Sequence, residues 1–322
     1  MATTVTTADQ ATRRSRIPTT TELVRARITG NKRDAWGMVF KGLVLSALLF
    51  AIFILVVLLV DVITGGWDVL TSRLGSFLSA GLRAQPEEAG VFQGLRGSFW
   101  IAYYVVVIAF PIGIGAAIYL EEYATKSRFS RFIELNIRNL AGVPSVVYGI
   151  LGFAIFVKTA GFLTGGRSTM AAGVTLAVLV LPIVIITSAE AIRAVPDAIR
   201  EAGYGVGATR WEVIRSHVLP YAAPGILTGT VLALARALGE AAPLILVGAV
   251  TGRLASDSGM LDVSQLTEKF TAMPIVITTW AGRPDAGFRA LTAAAIAVLL
   301  VVVLIANTAA ILLRNHYEKK RR

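Results

Sequence analysis

Apolar residues in this chain come in long unbroken runs separated by short polar connections. Six runs stand out, at about 38–60, 98–120, 140–157, 171–189, 226–250 and 289–313. A hydrocarbon core about 30 Å thick takes about 20 residues of α-helix, so each run is predicted to cross a bilayer as a helix. The third and fourth runs are short and contain or adjoin Gly142, Pro144, Gly173 and Pro182, which points to broken or tilted spans. The fold class expected is an all-α membrane protein with about six transmembrane helices. Residues 1–36 carry no apolar run and read as a disordered basic tail rather than a secretory signal. Residues 37–94 hold the first span and an outer segment, 95–313 the main transmembrane domain, and 314–322 a basic C-terminus. A further apolar stretch, Ala272–Ile277, is too short to span and reads as re-entrant or interfacial.

Composition agrees with the runs. Of 322 residues, 55% are hydrophobic and 16% charged, and mean hydropathy is +0.68. Net charge is +11, but its distribution argues for topology and against nucleic-acid binding. Twenty Lys and Arg fall in residues 1–35, the 121–138 and 190–219 loops and the last nine residues, against seven on the opposite side. Basic residues in short loops stay inside, so both termini and the 190–219 loop are expected in the cytoplasm, with 61–97 and 251–288 outside. The absence of Cys removes disulfides and thiolate metal sites. Neither H-E-x-x-H nor G-x-S-x-G occurs, which argues against an intramembrane hydrolase.

Two charges lie inside the fifth run. Arg236 and Glu240 are four residues apart and share one helix face. Counted from about Tyr221 at about 1.5 Å per residue, Arg236 lies about 20 Å into the bilayer. A charge at such depth costs about 2.5–3.5 kcal/mol and ordinarily faces a bundle interior or a wet path. Pro243 lacks the N–H that would reach the carbonyl of Gly239, so the helix is expected to open beside Glu240. A membrane scaffold without a substrate would leave this pair unexplained. The segment Gly142–Gly149 has two readings. Its small residues would let helices approach closely, or a helix beginning near Pro144 and Ser145 would turn its free N–H groups toward an anion.

The 190–219 loop holds two amphipathic stretches. Pro196 and Asp197 suit a helix start, Ala198, Ile199 and Ala202 give it a small apolar face, and Gly207 breaks it. Trp211, Val213, Ile214 and Val218 give the second, so a compact knob or a helix pair lying on the headgroups is expected. Glu201-Ala202-Gly203, then three residues, Gly207, nine residues, His217, one residue and Leu219-Pro220 resembles the EAA loop of ABC importer permeases. Gly203 stands for the family's second Ala and His217 for its Ile. The resemblance narrows over Arg236-Ala-Leu-Gly239-Glu240-Ala-Ala-Pro243-Leu, Pro224–Gly229, Gly142–Gly149 and Leu181–Pro196. These segments look like the PstA-type permeases of phosphate ABC importers, over residues 95–313.

That resemblance implies a type I, MetI-like architecture in a bacterial plasma membrane. It implies a coupling loop at 190–220 in which Glu201, Ala202, Gly203 and Gly207 meet the ATPase. It implies substrate passage past Arg236 and Glu240. The partners implied are a PstC-type second permease, two PstB-type ATPase subunits below and a PstS-type phosphate-binding protein above, with membrane lipid around the spans. No phosphate-binding G-x-x-x-x-G-K-[ST] loop occurs here. ATP and Mg²⁺ would therefore sit on the ATPase partners, and no cofactor or metal is expected in this chain. A permease for molybdate or sulfate, or the PstC-type sister subunit, is the competing reading.

Overall fold

The computed structural model describes residues 35–125, 127–250, 259–262 and 266–319. The expected tail at 1–34, Lys126, residues 251–258 and 263–265, and the last three residues lie outside the described residues. The chain divides into two compact units, one ending at Leu58 and the other running from Leu59. In the first, the described residues form the beginning of α1 (Ala35–Ser72), and its large apolar side chains from Trp36 to Leu58 are exposed. Such a helix is stable only where its surroundings are also apolar.

The second unit holds the remaining helices. The longer ones and those near the site are α2 (Phe92–Tyr123), α3 (Arg128–Ala141), α4 (Ser145–Thr159), α5 (Thr169–Arg193), α6 (Asp197–Gly205), α7 (Arg210–Gly239), α8 (Ala242–Val247), α9 (Met273–Ala281) and α10 (Ala286–Lys319), with short helical turns at Leu74–Ser79 and Gly161–Thr164 besides. No strand occurs among the described residues. Five of the helices, α1, α2, α5, α7 and α10, are long and apolar enough to cross a membrane, and the bent pair α3–α4 supplies a sixth candidate.

Several expected boundaries change. The first span reaches Ser72, so the outer segment expected from 61 begins as helix. The third run is mostly α4, and the loop expected before it at 121–138 is largely the helix α3, which meets α4 at 99°; Gly142 caps α3, and Pro144 holds an extended ψ of 137° before α4 starts. The fourth run is not broken. Pro182 sits inside α5, which continues through 25 residues, and two thirds of its most apolar window is buried. Packing on several sides keeps the helix continuous through Pro182. The fifth run is not one helix. It stops at Gly239 and resumes at Ala242 as the short α8. The stretch 272–277 belongs to α9, too short to span, with Met273, Pro274, Ile275, Val276 and Trp280 buried.

Helix α5 is the centre of the unit and packs on α2, α4 and α7. Its pairing with α7 depends on missing side chains. A Cβ on Gly225 would stand 2.7 Å from that of Ala191, and one on Gly229 would stand 2.4 Å from that of Thr187. Two glycines four apart thus form the close-approach face that membrane helices use in place of a hydrophobic driving force. A separate cluster of Ile192, Val195, Val213, Val218 and Ile226 closes one end of this pair, and α6 lies against it through Ile199.

Candidate functional site

Two places carry the chemistry that the sequence singled out. The first is the interruption after α7. Arg236 occupies the last turn of that helix, where a cation meets the negative end of the backbone dipoles. Glu240 is the residue just past its end, with ψ 123°. The pair was expected on one helix face; instead Glu240 turns out of the helix, yet its Oε1 still accepts from Arg236 Nε at 3.3 Å. Arg236 is 41% exposed and Glu240 19%, so the guanidinium is presented on a surface that the described residues leave open.

The structure brings the Gly142–Gly149 segment to the same place. Helix α8, with Pro243 and Leu244 buried, packs on the first half of α4. A Cβ on Gly149 would stand 2.7 Å from the Cα of Pro243, so the contact is backbone to backbone. Tyr148 is buried in the same core as Ala237 and Leu244. Its hydroxyl donates to the carbonyl of Leu140 at 2.9 Å. Close approach of small residues is therefore realised at Gly149. Ser145 is the first residue of α4 and is half-buried, and Pro144 is exposed.

The second place is the loop after α5. Helix α6 turns out its face with Ala198, Glu201 and Ala202 and turns in Ile199, Arg200 and Gly203. The apolar face expected from Ala198, Ile199 and Ala202 is therefore corrected. Gly203 is the buried contact, since a Cβ there would meet Val213 at 2.7 Å. Gly207 has φ +85° with open space around it, so the turn needs glycine for its backbone and not for room. Thr209 and Glu212 then form a capping box at the start of α7. The second amphipathic stretch is no separate helix: it runs on without a break as the first turns of α7. Tyr204, Val206 and Trp211 stay exposed beside Glu201.

Sequence reasoning missed the groups that hold α6. Arg200 donates to Glu122 Oε1 through Nε at 3.1 Å and Nη2 at 2.9 Å, and to the carbonyls of Val195 and Ile192 at 2.6 and 3.0 Å. Arg193 is ion-paired with Glu121 and Glu134. Glu121 and Glu122 are adjacent at the end of α2, before a basic loop, and only Lys and Arg had been weighed there.

Comparison with known proteins completes the picture. Residues 109–322 match the family described as binding-protein-dependent transport system inner membrane component. The chain belongs to that family. It is 37% identical over 257 residues to phosphate transport system permease protein PstA 1 of Mycobacterium tuberculosis, covering 79% of this chain and 80% of the relative. It is 31% identical over 271 residues to the PstA protein of Yersinia pestis, covering 82% and 86%. Its fold resembles that of a bacterial ABC transporter involved in import of the acidic polysaccharide alginate, with a TM-score of 0.54 at 14% identity over 86% of this chain and 98% of that one. It also resembles the inward-facing MetNI methionine ABC transporter, with a TM-score of 0.51 at 18% identity over 71% and 94%. At these identities the likeness is one of fold, and the MetI-like architecture is that of this inner membrane component.

Proposed function

We propose that the chain is a PstA-type permease subunit of an ATP-driven importer that carries inorganic phosphate into the cytoplasm. The observation that carries this reading is the exposed Arg236 at the end of an apolar spanning helix. Facing lipid there would cost about 2.5–3.5 kcal/mol. The surface that bears it therefore lines an aqueous path or meets a second subunit across one. A guanidinium presents a planar fork of N–H donors suited to an oxyanion, and the phosphate permeases of Mycobacterium tuberculosis and Yersinia pestis are relatives over most of the chain.

In this reading Glu240 neutralises Arg236 while the path is empty and lowers the cost of holding it there. Phosphate displaces Glu240 from part of the fork, so binding is transient. Ionised Glu240 can accept the proton that hydrogen phosphate carries and sulfate lacks. Pro144 and Ser145 lie on the same path at the start of α4. Glu201, Ala202, Gly203 and Gly207 form the coupling segment, whose exposed face docks on two separate PstB-type ATPase subunits, where ATP and Mg²⁺ are bound. A PstC-type permease completes the path, and a PstS-type binding protein delivers phosphate from outside. Both termini are cytoplasmic.

The test is uptake into vesicles containing the chain with its partner permease and ATPase, with the phosphate-binding protein added outside, supplied with phosphate, sulfate or molybdate. ATP-dependent accumulation of phosphate in preference to the other two is expected. Accumulation of sulfate or molybdate instead would transfer the site to that oxyanion.

A further inference from the structure

Helix α6 is fastened to the rest of the chain at one side. Its Arg200 side chain is 17% exposed and reaches a carboxylate that is only 5% exposed, Glu122 on α2. The same guanidinium bonds the carbonyls of Ile192 in the last turn of α5 and Val195 just past it, and Asp197 on its own helix at 3.2 Å. One side chain thus joins three elements. Next to it, Glu121 takes Arg193 from the end of α5, which also reaches Glu134 on α3.

The two carboxylates sit in a π-helical turn, Tyr119–Tyr123, closed by Ala124 N–H donating to the Tyr119 carbonyl at 2.8 Å. Such turns are frequent at functional positions. Glu121 and Glu122 themselves line a cavity of about 710 Å³ between α6 and α3, with Arg200 and Tyr204 on one side and Arg131 and Glu134 on the other. Arg210, at the first turn of α7, stacks over Tyr123 at 5.0 Å, so the segment beyond the Gly207 turn is also drawn to the end of α2.

We infer that Glu121 and Glu122 receive the coupling segment, so that α6 and α2 move as one body when an ATPase subunit moves α6. Arg200 is the positioning residue of this link, one position before the outward Glu201. The inference rests on the coupling role proposed above. It adds the route: force enters at α6 and leaves along α2. Arg200 suits the task better than lysine because its fork satisfies a carboxylate and two carbonyls together.

The chain has no native Cys, so two labels can be placed cleanly. Ile112→Cys on α2 and Val206→Cys at the end of α6 are both exposed positions. Spin-label distances between them are measured in the full complex with its partner permease and ATPase, without nucleotide and trapped with ATP. The expected result is one distance common to both states. In the Glu122→Gln/Arg200→Gln double variant, which leaves no unpaired buried charge, the distance changes on ATP trapping, and phosphate moved per ATP falls about tenfold. Arg200→Lys lies between. A distance that shifts in the unsubstituted link, or that stays fixed in the double variant, overturns the inference. So does a fall in uptake matched by an equal fall in ATP hydrolysis and assembled complex, which marks a merely structural bond. A complex that moves no phosphate removes the proposed substrate, while the distance measurement still decides the route.

Discussion

Gly149 and Pro243 meet backbone to backbone: a Cβ added to the glycine would stand 2.7 Å from the proline Cα. This contact sets the short α8 against α4 and so fixes where the chain leaves the end of α7. Gly149→Ala must push the two backbones apart or bend one of them, at about 1–3 kcal/mol for overpacking a close contact. Because Glu240 hangs on the two-residue connection before α8, the displacement is expected to reach the Arg236–Glu240 pair. Phosphate uptake should fall several-fold with assembly largely kept, measured in vesicles beside copurification of the ATPase. Unchanged uptake in Gly149→Ala would show that the position of α8 does not matter to the path.

A different glycine acts through its backbone alone. At Gly207, φ is +85° and nothing lies within 4 Å of an added Cβ. Substitution is therefore limited by conformation, at about 1–2 kcal/mol for an ordinary L-residue held left-handed. Gly207→Asn should be the mildest change, Gly207→Ala intermediate, and Gly207→Val and Gly207→Pro the worst. The readout is ATP hydrolysis stimulated by the complete importer. A ranking by side-chain volume alone, with Asn worse than Ala, would mean that crowding and not φ is decisive.

How far the sequence could be read depended on the range of the interaction. Apolar runs, the contact of Arg236 with Glu240 and the Gly207 turn are local; the helices, the contact and the turn are all found, though with shifted helix ends. Helix ends were harder, because Pro243 announces an interruption but not that Glu240 would leave the helix altogether. The fourth run was misjudged because Pro182 and Gly173 weaken a helix in isolation, while burial of α5 on several sides overrides them. The partners of Arg193 and Arg200 were illegible for another reason. They lie 72 and 78 residues away, and no periodicity connects Glu121 and Glu122 to them.

Orientation can be checked on exposed positions of the described residues. Leu261 is 68% exposed and Val206 84%, and the basic-residue bias puts them on opposite sides of the membrane. In intact cells an impermeant thiol reagent should modify Leu261→Cys and leave Val206→Cys untouched until the inner face is opened. The reverse order would invert the whole assignment and place α6 out of reach of any cytoplasmic ATPase.

The strongest demand falls on Arg236. Its side chain is more exposed than that of Glu240, 41% against 19%, so within this chain the glutamate is the better covered partner and the arginine the better presented one. Arg236→Gln removes the charge and most of the fork, and is expected to abolish phosphate uptake while the complex still assembles, since the residue contributes little to the packed core. Arg236→Lys keeps a charge but loses the planar fork, so uptake should persist at a reduced rate. Glu240→Gln keeps the shape of the acceptor and loses its charge. Part of the uptake should remain, with preference over arsenate little changed and preference over sulfate weakened, because arsenate carries the same proton as phosphate and sulfate does not. Uptake is measured in cells lacking other phosphate importers, with assembly followed in parallel. An assembled Arg236→Gln complex that takes up phosphate at the full rate would return the pair to a tie between helix ends, with no part in the path.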